Sequence, residues 1–293
     1  MPRFALLGDG LPPFPLPFFI KPVVGRLAEN AFRVDTFAQL TALAEDGYPP
    51  RYAHIAGLAG LGECDAHGFL AEELLEGDEV TLEGYVNRGA VTTIGVTDAL
   101  KYPGTNSFEG FAFPSLLAPE RLDELAALAG RVLPALGFDH GFFNMELFVP
   151  RDGPAKLIEV NGRIASQFAP LVRAVQGRST YEALLRLAVG DDPAWVREPP
   201  RCAAISYCLR VFEDAFVAAV PEPEDGVEIL AEPGLLLSQQ ATTNDAESYR
   251  LAILHEAGPT RADALARCRA RAASLAFELE PARPRLAAAG RDA

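Results

Sequence analysis

The sequence predicts an α+β fold, on three observations. The chain has 293 residues, 49% of them hydrophobic, enough to bury a real core in two domains or one large one. Runs rich in aromatic and β-branched residues read as strands, and they are interspersed with apolar patterns of helical period. Two of the strand runs are joined through a four-residue loop, Arg151 to Pro154, the spacing of a hairpin.

Taken in order, the first strand is expected at residues 18–24, where aromatic and β-branched side chains dominate. Thr36-x-x-Gln39 reads as a capping box that opens a helix to about Glu45. A loop region with Gly57, Gly60, Gly62 and Gly68 follows. Residues 68–75 and 79–85 read as strands separated by Glu76-Gly77-Asp78, and residues 91–96 as another. Residues 102–115, rich in Gly, Pro and Phe, read as a long loop. Pro119 begins a helix to about Leu133, with Leu122, Leu125, Leu128, Val132 and Leu133 mostly on one face. A hairpin is expected from residues 142–149 and 155–161, then a helix at 165–175. Ser179-x-x-Glu182 caps another helix, ending near Gly190. Pro193, Pro199 and Pro200 mark a linker, beyond which strands are expected at 203–211, 227–230 and 249–254 and a closing helix at 261–279.

Acidic residues number 40 and basic residues 26, a formal net charge of -14. That balance repels phosphate backbones and anionic membrane surfaces, which argues against general nucleic-acid or lipid binding. It leaves room for a nucleotide, which needs only a local cationic pocket and a metal. Cys64, Cys202, Cys208 and Cys268 form no C-x-x-C pair, and His54, His67, His140 and His255 lack ligand spacing. Neither a disulfide framework nor a structural zinc site is expected. The apolar stretch at residues 11–20 is broken by Pro12, Pro13, Pro15 and Pro17 and stopped by Lys21, a poor match to a signal peptide. No run reaches the roughly 20 apolar residues of a membrane span, so the cytoplasm is the expected compartment.

The most informative stretch is FFNMELFVPRDGPAKLIEVNGR, residues 142–163. Alternation puts Phe143, Met145, Leu147 and Val149 on one face of its first strand and Asn144 and Glu146 on the other. On the second strand Glu159, Asn161 and Arg163 share a face if extension continues that far. A loop of Arg151 to Pro154 pairs Pro150 with Ala155, which sets Glu146 opposite Glu159 and Asn144 opposite Asn161. Two carboxylates directly opposed on a sheet repel. A hard divalent cation removes that repulsion, and carboxylate and amide oxygens are the ligands magnesium prefers. Arg163, just beyond, is suited to a bidentate grip on a phosphate oxygen pair. A solvated hairpin face with accidental acids is the competing reading, and one residue of slip would change which groups meet.

In these residues the chain resembles the ATP-grasp superfamily, whose C-terminal lobe carries a glutamate on one strand and an E-[IV]-N-x-R pattern on the next. Here these are Glu146 in NMELF and Glu159-Val160-Asn161-Gly162-Arg163. EELLEGDEVTLEGY, residues 72–85, is similar to the family's hinge, and FFIKPVVG, residues 18–25, to the strand carrying its nucleotide lysine. The stretches 102–115 and 163–172 further resemble a bacterial subgroup labelled biotin-carboxylase-like or carboxylate–amine ligase.

The resemblance implies two α+β lobes around a nucleotide cleft, residues 1–75 and 76–195, and a small α+β domain at 196–293. It implies ATP as nucleotide and Mg2+ or Mn2+ as metal. Lys21 is expected on the α- and β-phosphates. Glu73 and Leu75 would present a backbone C=O and N–H to the adenine edge with Glu72 beside them, and Glu79 would accept from the ribose hydroxyls. Glu146, Glu159 and Asn161 would hold metal, and Arg163 would stabilise the transferring phosphoryl group. The implied reaction is ATP-dependent ligation of a small-molecule carboxylate to an amine or similar nucleophile.

The sequence departs from the family in three places. Only 20 residues precede Lys21, where relatives have a further domain. Residues 25–32 hold just Gly25, where the phosphate-covering loop is normally glycine-rich, and Gly162 replaces the usual proline. A kinase on the same fold is one alternative, and these departures motivate another, a non-catalytic or partner-dependent ATP-binding module. They also lead us to expect a homodimer or partner subunit packing on an exposed flank at Phe14, Phe18 and Phe19.

Overall fold

The computed structural model describes residues 1–7, 12–23, 31–46, 69–240, 243–245 and 248–282. The expected glycine loop and residues 25–30 of the glycine-poor loop lie outside them. The elements, in chain order, are β1 (Phe4–Leu7), β2 (Phe18–Pro22), β3 (Phe32–Val34), α1 (Phe37–Asp46), β4 (Phe69–Glu73), β5 (Asp78–Asn87), β6 (Ala90–Lys101), β7 (Phe108–Phe113) and α2 (Pro119–Ala135). There follow β8 (Gly141–Val149), β9 (Lys156–Asn161), a 3-10 turn (Ser166–Phe168), α3 (Ala169–Gln176), α4 (Thr180–Ala188), β10 (Ala203–Val211), β11 (Ala215–Ala219) and β12 (Val227–Ile229). A second 3-10 turn (Leu237–Gln239), β13 (Asn244–Asp245), β14 (Ser248–Gly258), α5 (Arg261–Ser274) and β15 (Glu278–Pro281) complete them. The fold class is α+β, with antiparallel strand pairing throughout the described registers. Among the described residues no helix is long and apolar enough to cross a membrane.

The chain divides into two compact units. The first comprises Met1–Ala99, Pro114–Ser166 and Ser179–Arg197. It holds a four-stranded sheet in the order β1-β4-β2-β3 and the strand run β6-β5-β8-β9. Phe14, Phe18, Ile20, Val34 and Ala71 form the core of the four-stranded sheet. The flank expected to be exposed is therefore largely interior: Phe14 and Phe18 are buried and meet edge to face at 5.7 Å. Alternation on β2 points Phe18 and Ile20 inward, and Phe14 folds back onto them.

The strand run has its own core. Val80, Leu82 and Val86 of β5 and Phe143, Met145, Leu147 and Val149 of β8 pack against Leu125, Ala129 and Leu133 of α2. Burying each such side chain is worth roughly 1.5–3 kcal/mol. A one-residue slip of β8 would drive Asn144 and Glu146 into this core, so the apolar face fixes the register of the polar one.

The second unit comprises Leu100–Phe113, Gln167–Arg178 and Glu198–Ala293. Its strands run β12-β14-β10-β7, with β13 beside β14, and β11 pairs β15. Ile205, Tyr207, Ala252 and Leu254 pack under Ala264, Cys268 and Ala272 of α5. Cys202, Cys208 and Cys268 are free thiols.

Three local expectations are corrected. Residues 102–115 are not all loop, because β7 pairs with β10 through Ala204↔Phe113 to Tyr207↔Gly110. A Cβ on Gly110 would stand 2.6 Å from the Ser206 carbonyl oxygen, so glycine here serves close strand approach. The closing helix stops at Ser274, since residues 278–281 extend to pair with β11. Over the helix expected at 165–175, a 3-10 turn at Ser166–Phe168 precedes α3, which starts at Ala169. The helix starts at Phe37 and Thr180 stand where their caps predict. Gln39 Oε1 accepts the Thr36 N–H at 2.9 Å, and Ser179 Oγ accepts the Glu182 N–H at 3.3 Å.

Candidate active site

All the site residues expected from sequence fall in the first unit. The hairpin β8–β9 carries the densest set. Asn144 stands opposite Asn161 and Glu146 opposite Glu159, as the alternation predicts. The route to that register differs, however. Phe148 pairs with Lys156 and Leu147 with Leu157, so Ile158 is a one-residue bulge and the loop-side pairing is offset from the expected Pro150–Ala155 match. The loop is tied down from α2. Arg121 donates to the carbonyl oxygens of Pro150 at 3.2 Å and Gly153 at 3.1 Å, and Glu124 Oε1 accepts the Ala155 N–H at 2.8 Å.

Strand β5 completes the polar face. Thr81 stands opposite Glu146, and Glu83 opposite Asn144. Two rows therefore cross the sheet, Thr81–Glu146–Glu159 and Glu83–Asn144–Asn161. Sequence reasoning did not single out Glu83. Its signal was the period-two series Glu79, Thr81, Glu83, alternating with Val80 and Leu82 on the core side.

At Glu146, burial and neighbouring acids outweigh the nearby Arg163 charge. Burial, then the charges of Glu159 and Glu79, push the Glu146 carboxyl well above the usual carboxylate range. The two carboxyls face each other across the β8–β9 ladder. Asn161 Nδ2 donates to Glu159 Oε1 at 2.7 Å and to Glu146 Oε1 at 3.4 Å. Among the described residues no group of three or more His, Cys, Asp or Glu side chains is placed to hold a metal ion. The donor set is instead two carboxylates and an amide, whose half-turn exchanges its NH2 for its oxygen. Those are hard oxygen donors on opposed acids, and they fit a hard divalent cation.

Arg163 lies past the end of β9 at an exposed bend, so the strand does not extend to it. Its charge nonetheless acts on both Glu83 and Glu146. Its Nη1 donates to the Ile164 carbonyl oxygen at 3.3 Å.

On the four-stranded sheet, Lys21 of β2 and Glu72 of β4 are diagonal neighbours, and Lys21 Nζ lies 3.1 Å from Glu72 Oε2. Glu73 is committed on both sides. Its N–H donates to the Arg3 carbonyl oxygen at 2.9 Å, and its carboxylate accepts from Arg3 N, Arg3 Nε and Lys156 Nζ at 3.1, 2.8 and 3.4 Å. The hydrogen bonds from Arg3, helped by Lys156, hold its carboxyl down at about 2. Through Lys156 this one side chain links β4 to the hairpin. Leu75 lies beyond the end of β4, half-buried, and Glu79 is half-buried on β5 beside the Glu146 pair. Lys21 with Glu72, and Glu79 with Glu146, Glu159, Asn161 and Arg163, are thus two local groups, linked by Glu73–Lys156.

Known proteins share this fold. The ATP-grasp domain family matches residues 14–170. No curated protein matches the chain in sequence. Among solved structures, L-amino acid ligase from Bacillus licheniformis superposes with a TM-score of 0.72 at 17% identity, over 94% of this chain and 69% of that one. Phosphoribosylglycinamide synthetase from Anaerococcus prevotii gives 0.61 at 13% identity, over 95% and 70%. The biotin carboxylase domain of Hydrogenobacter thermophilus 2-oxoglutarate carboxylase, solved with MgADP, ADP and bicarbonate, gives 0.64 at 17% identity, over 90% and 58%. At such identities these likenesses establish the fold. The family match itself spans more than half of the sequence, from Phe14 through β2, β4 and the carboxylate hairpin to Pro170, and on that ground the chain belongs to the ATP-grasp domain family.

Proposed function

We propose that the chain is an ATP-dependent ligase that activates a carboxylate as an acyl phosphate for attack by an amine or similar nucleophile. The observation that carries this reading is the Glu146–Glu159 pair with Asn161 beside it and the Arg163 charge upon it, in a chain of this family.

In this reading Lys21, released from Glu72, meets the α- and β-phosphates. The Glu73 carbonyl and the Leu75 N–H meet the adenine edge, and Glu79 accepts from the ribose hydroxyls. Glu146, Glu159 and Asn161 would hold Mg2+ or Mn2+, which when bound supplies charge neutralisation for the β- and γ-phosphates. Arg163 binds the equatorial oxygens of the transferring group. The substrate carboxylate oxygen attacks the γ-phosphorus and the bond to the β-bridging oxygen breaks, giving acyl phosphate and ADP. The amine nitrogen then attacks the acyl carbon, loses a proton, and inorganic phosphate leaves. Positioning and charge neutralisation are the protein's contribution to the first step.

The test is a screen of carboxylate and amine pairs for ATP-dependent phosphate release. One phosphate per amide formed, with release needing both substrates, is the expected result. ADP formation that needs a carboxylate or hydroxyl alone, yielding a stable phosphorylated product, would replace ligation with phosphoryl transfer.

A further inference from the structure

We infer that Glu83 is a positioning residue, whose buried carboxylate fixes the turn that carries Arg163. The inference rests on the reading of Arg163 as the group that meets the transferring phosphoryl.

Glu83 sits in the middle of β5 and is 3% exposed. A carboxylate there is costly unless hydrogen bonds satisfy it. Its partners say what it is for. Glu83 Oε1 accepts the Ala165 N–H at 3.0 Å, across 82 residues of sequence. Asn144 stands directly opposite on β8, and its side chain favours the charged form of Glu83. Asn144 in turn stands opposite Asn161, the last residue of β9.

The geometry follows from the chain path. Beyond Asn161 the backbone leaves the β9 ladder and bends through Gly162, Arg163 and Ile164 before the 3-10 turn at Ser166–Phe168. Ala165 is buried, so its N–H needs a protein acceptor. Glu83 supplies one. The near end of the turn is held by the Asn144–Asn161 register and the far end by Glu83–Ala165, so one row of the sheet fixes both ends. Arg163 donates to its own neighbour Ile164, a bond that moves with the turn rather than anchoring it. Where its charge falls relative to Glu146 is therefore set by where the turn is held.

The hydrogen-bond reach of Glu83, rather than its charge, does this. Glu83→Gln keeps an oxygen at the same distance. Glu83→Asp keeps the charge and withdraws the oxygen by about one bond length. Glu83→Ala removes both, and the Asp variant carries the test should the Ala variant not fold. Two measurements on the full chain decide it. Hydrogen exchange reports on the Ala165 amide directly and needs no ligand. The ratio of affinities for the magnesium complexes of β,γ-imido-ATP and ADP reports on Arg163, which meets only the γ-phosphate.

The expected result is faster exchange at Ala165 in the Asp and Ala variants and wild-type protection in the Gln variant. The affinity ratio should fall by about tenfold in the Asp and Ala variants, as it does in Arg163→Ala, with ADP binding unchanged, since one charge-assisted contact is lost. Unchanged Ala165 protection in the Asp and Ala variants overturns the clamp. Lost protection with an unchanged affinity ratio overturns its bearing on Arg163, as does a Gln variant no better than Ala. An identical ratio in wild type and Arg163→Ala overturns the underlying reading of Arg163, and the exchange data keep that failure apart from a failed clamp.

Discussion

Glu146 on β8 stands directly opposite Glu159 on β9, and Asn161 Nδ2 donates to both carboxylates. A sheet does not keep opposed acids for stability, because like charges directly opposite destabilise it. Burial and the neighbouring acids raise the Glu146 carboxyl, and a divalent cation held between the pair would relieve that cost.

Replacing either acid by its amide tests that reading. Glu146→Gln and Glu159→Gln should each weaken Mg-ATP binding at least tenfold and leave the fold intact. In chelator at pH 8 both should melt slightly higher than wild type, by about 0.2–1 kcal/mol of stability. Calorimetric titration and thermal melts check both halves, and Mg-ATP affinity equal to wild type in both variants would remove the hairpin as the metal site.

The nucleotide assignment is tested on β2. Lys21→Ala should weaken ATP far more than adenosine, because the lysine is proposed to meet phosphates only. It also leaves Glu72 without its 3.1 Å partner, so a loss of stability is expected alongside. Leu75→Pro should weaken both ligands by removing the N–H meant for adenine. Equal losses of ATP and adenosine in Lys21→Ala would sink the phosphate role.

Metal-free stability should depend on pH through Glu83. Burial raises its carboxyl from the ordinary 4.5 to about 7. Between those values the folded state keeps a proton that the unfolded state gives up, so stability falls as pH rises through this window and levels off above it. The loss is on the order of 3 kcal/mol. Glu146 is shifted in the same direction and adds to the slope. Urea midpoints at pH 5 and pH 8 should therefore differ less in Glu83→Gln than in wild type, and an equal difference in both would contradict the assignment.

In the second unit, Gly110→Ala tests the pairing of β7 with β10. The added Cβ would meet the Ser206 carbonyl oxygen at 2.6 Å, and backbone cannot give way cheaply. A loss of roughly 1–3 kcal/mol is expected on equilibrium unfolding. An unchanged unfolding midpoint would show that the strands sit farther apart.

The features legible in the sequence are those written at short range. Period-two alternation sorted Phe143, Met145, Leu147 and Val149 from Asn144 and Glu146, and the packing of α2 confirms which face is core. The caps at Thr36 and Ser179 placed two helix starts. The hairpin's opposed acids followed from alternation and a short loop, even though a bulge at Ile158 carries the offset that the loop count missed. Other features depended on partners far along the chain. The run FEGFAF became a strand because β10 offers it a ladder and Gly110 lets the backbones close up. Residues 278–281 left the helix for β11 in the same way. Phe14 and Phe18 were turned inward by a core assembled from β2, β3 and β4. Glu83 reads in sequence as one more acid on a strand, and its role emerges only when Ala165, 82 residues away, brings its N–H to within 3.0 Å. Periodicity and capping are local energies and can be read from neighbouring residues, whereas a ladder partner or a buried acceptor exists only once distant segments have met.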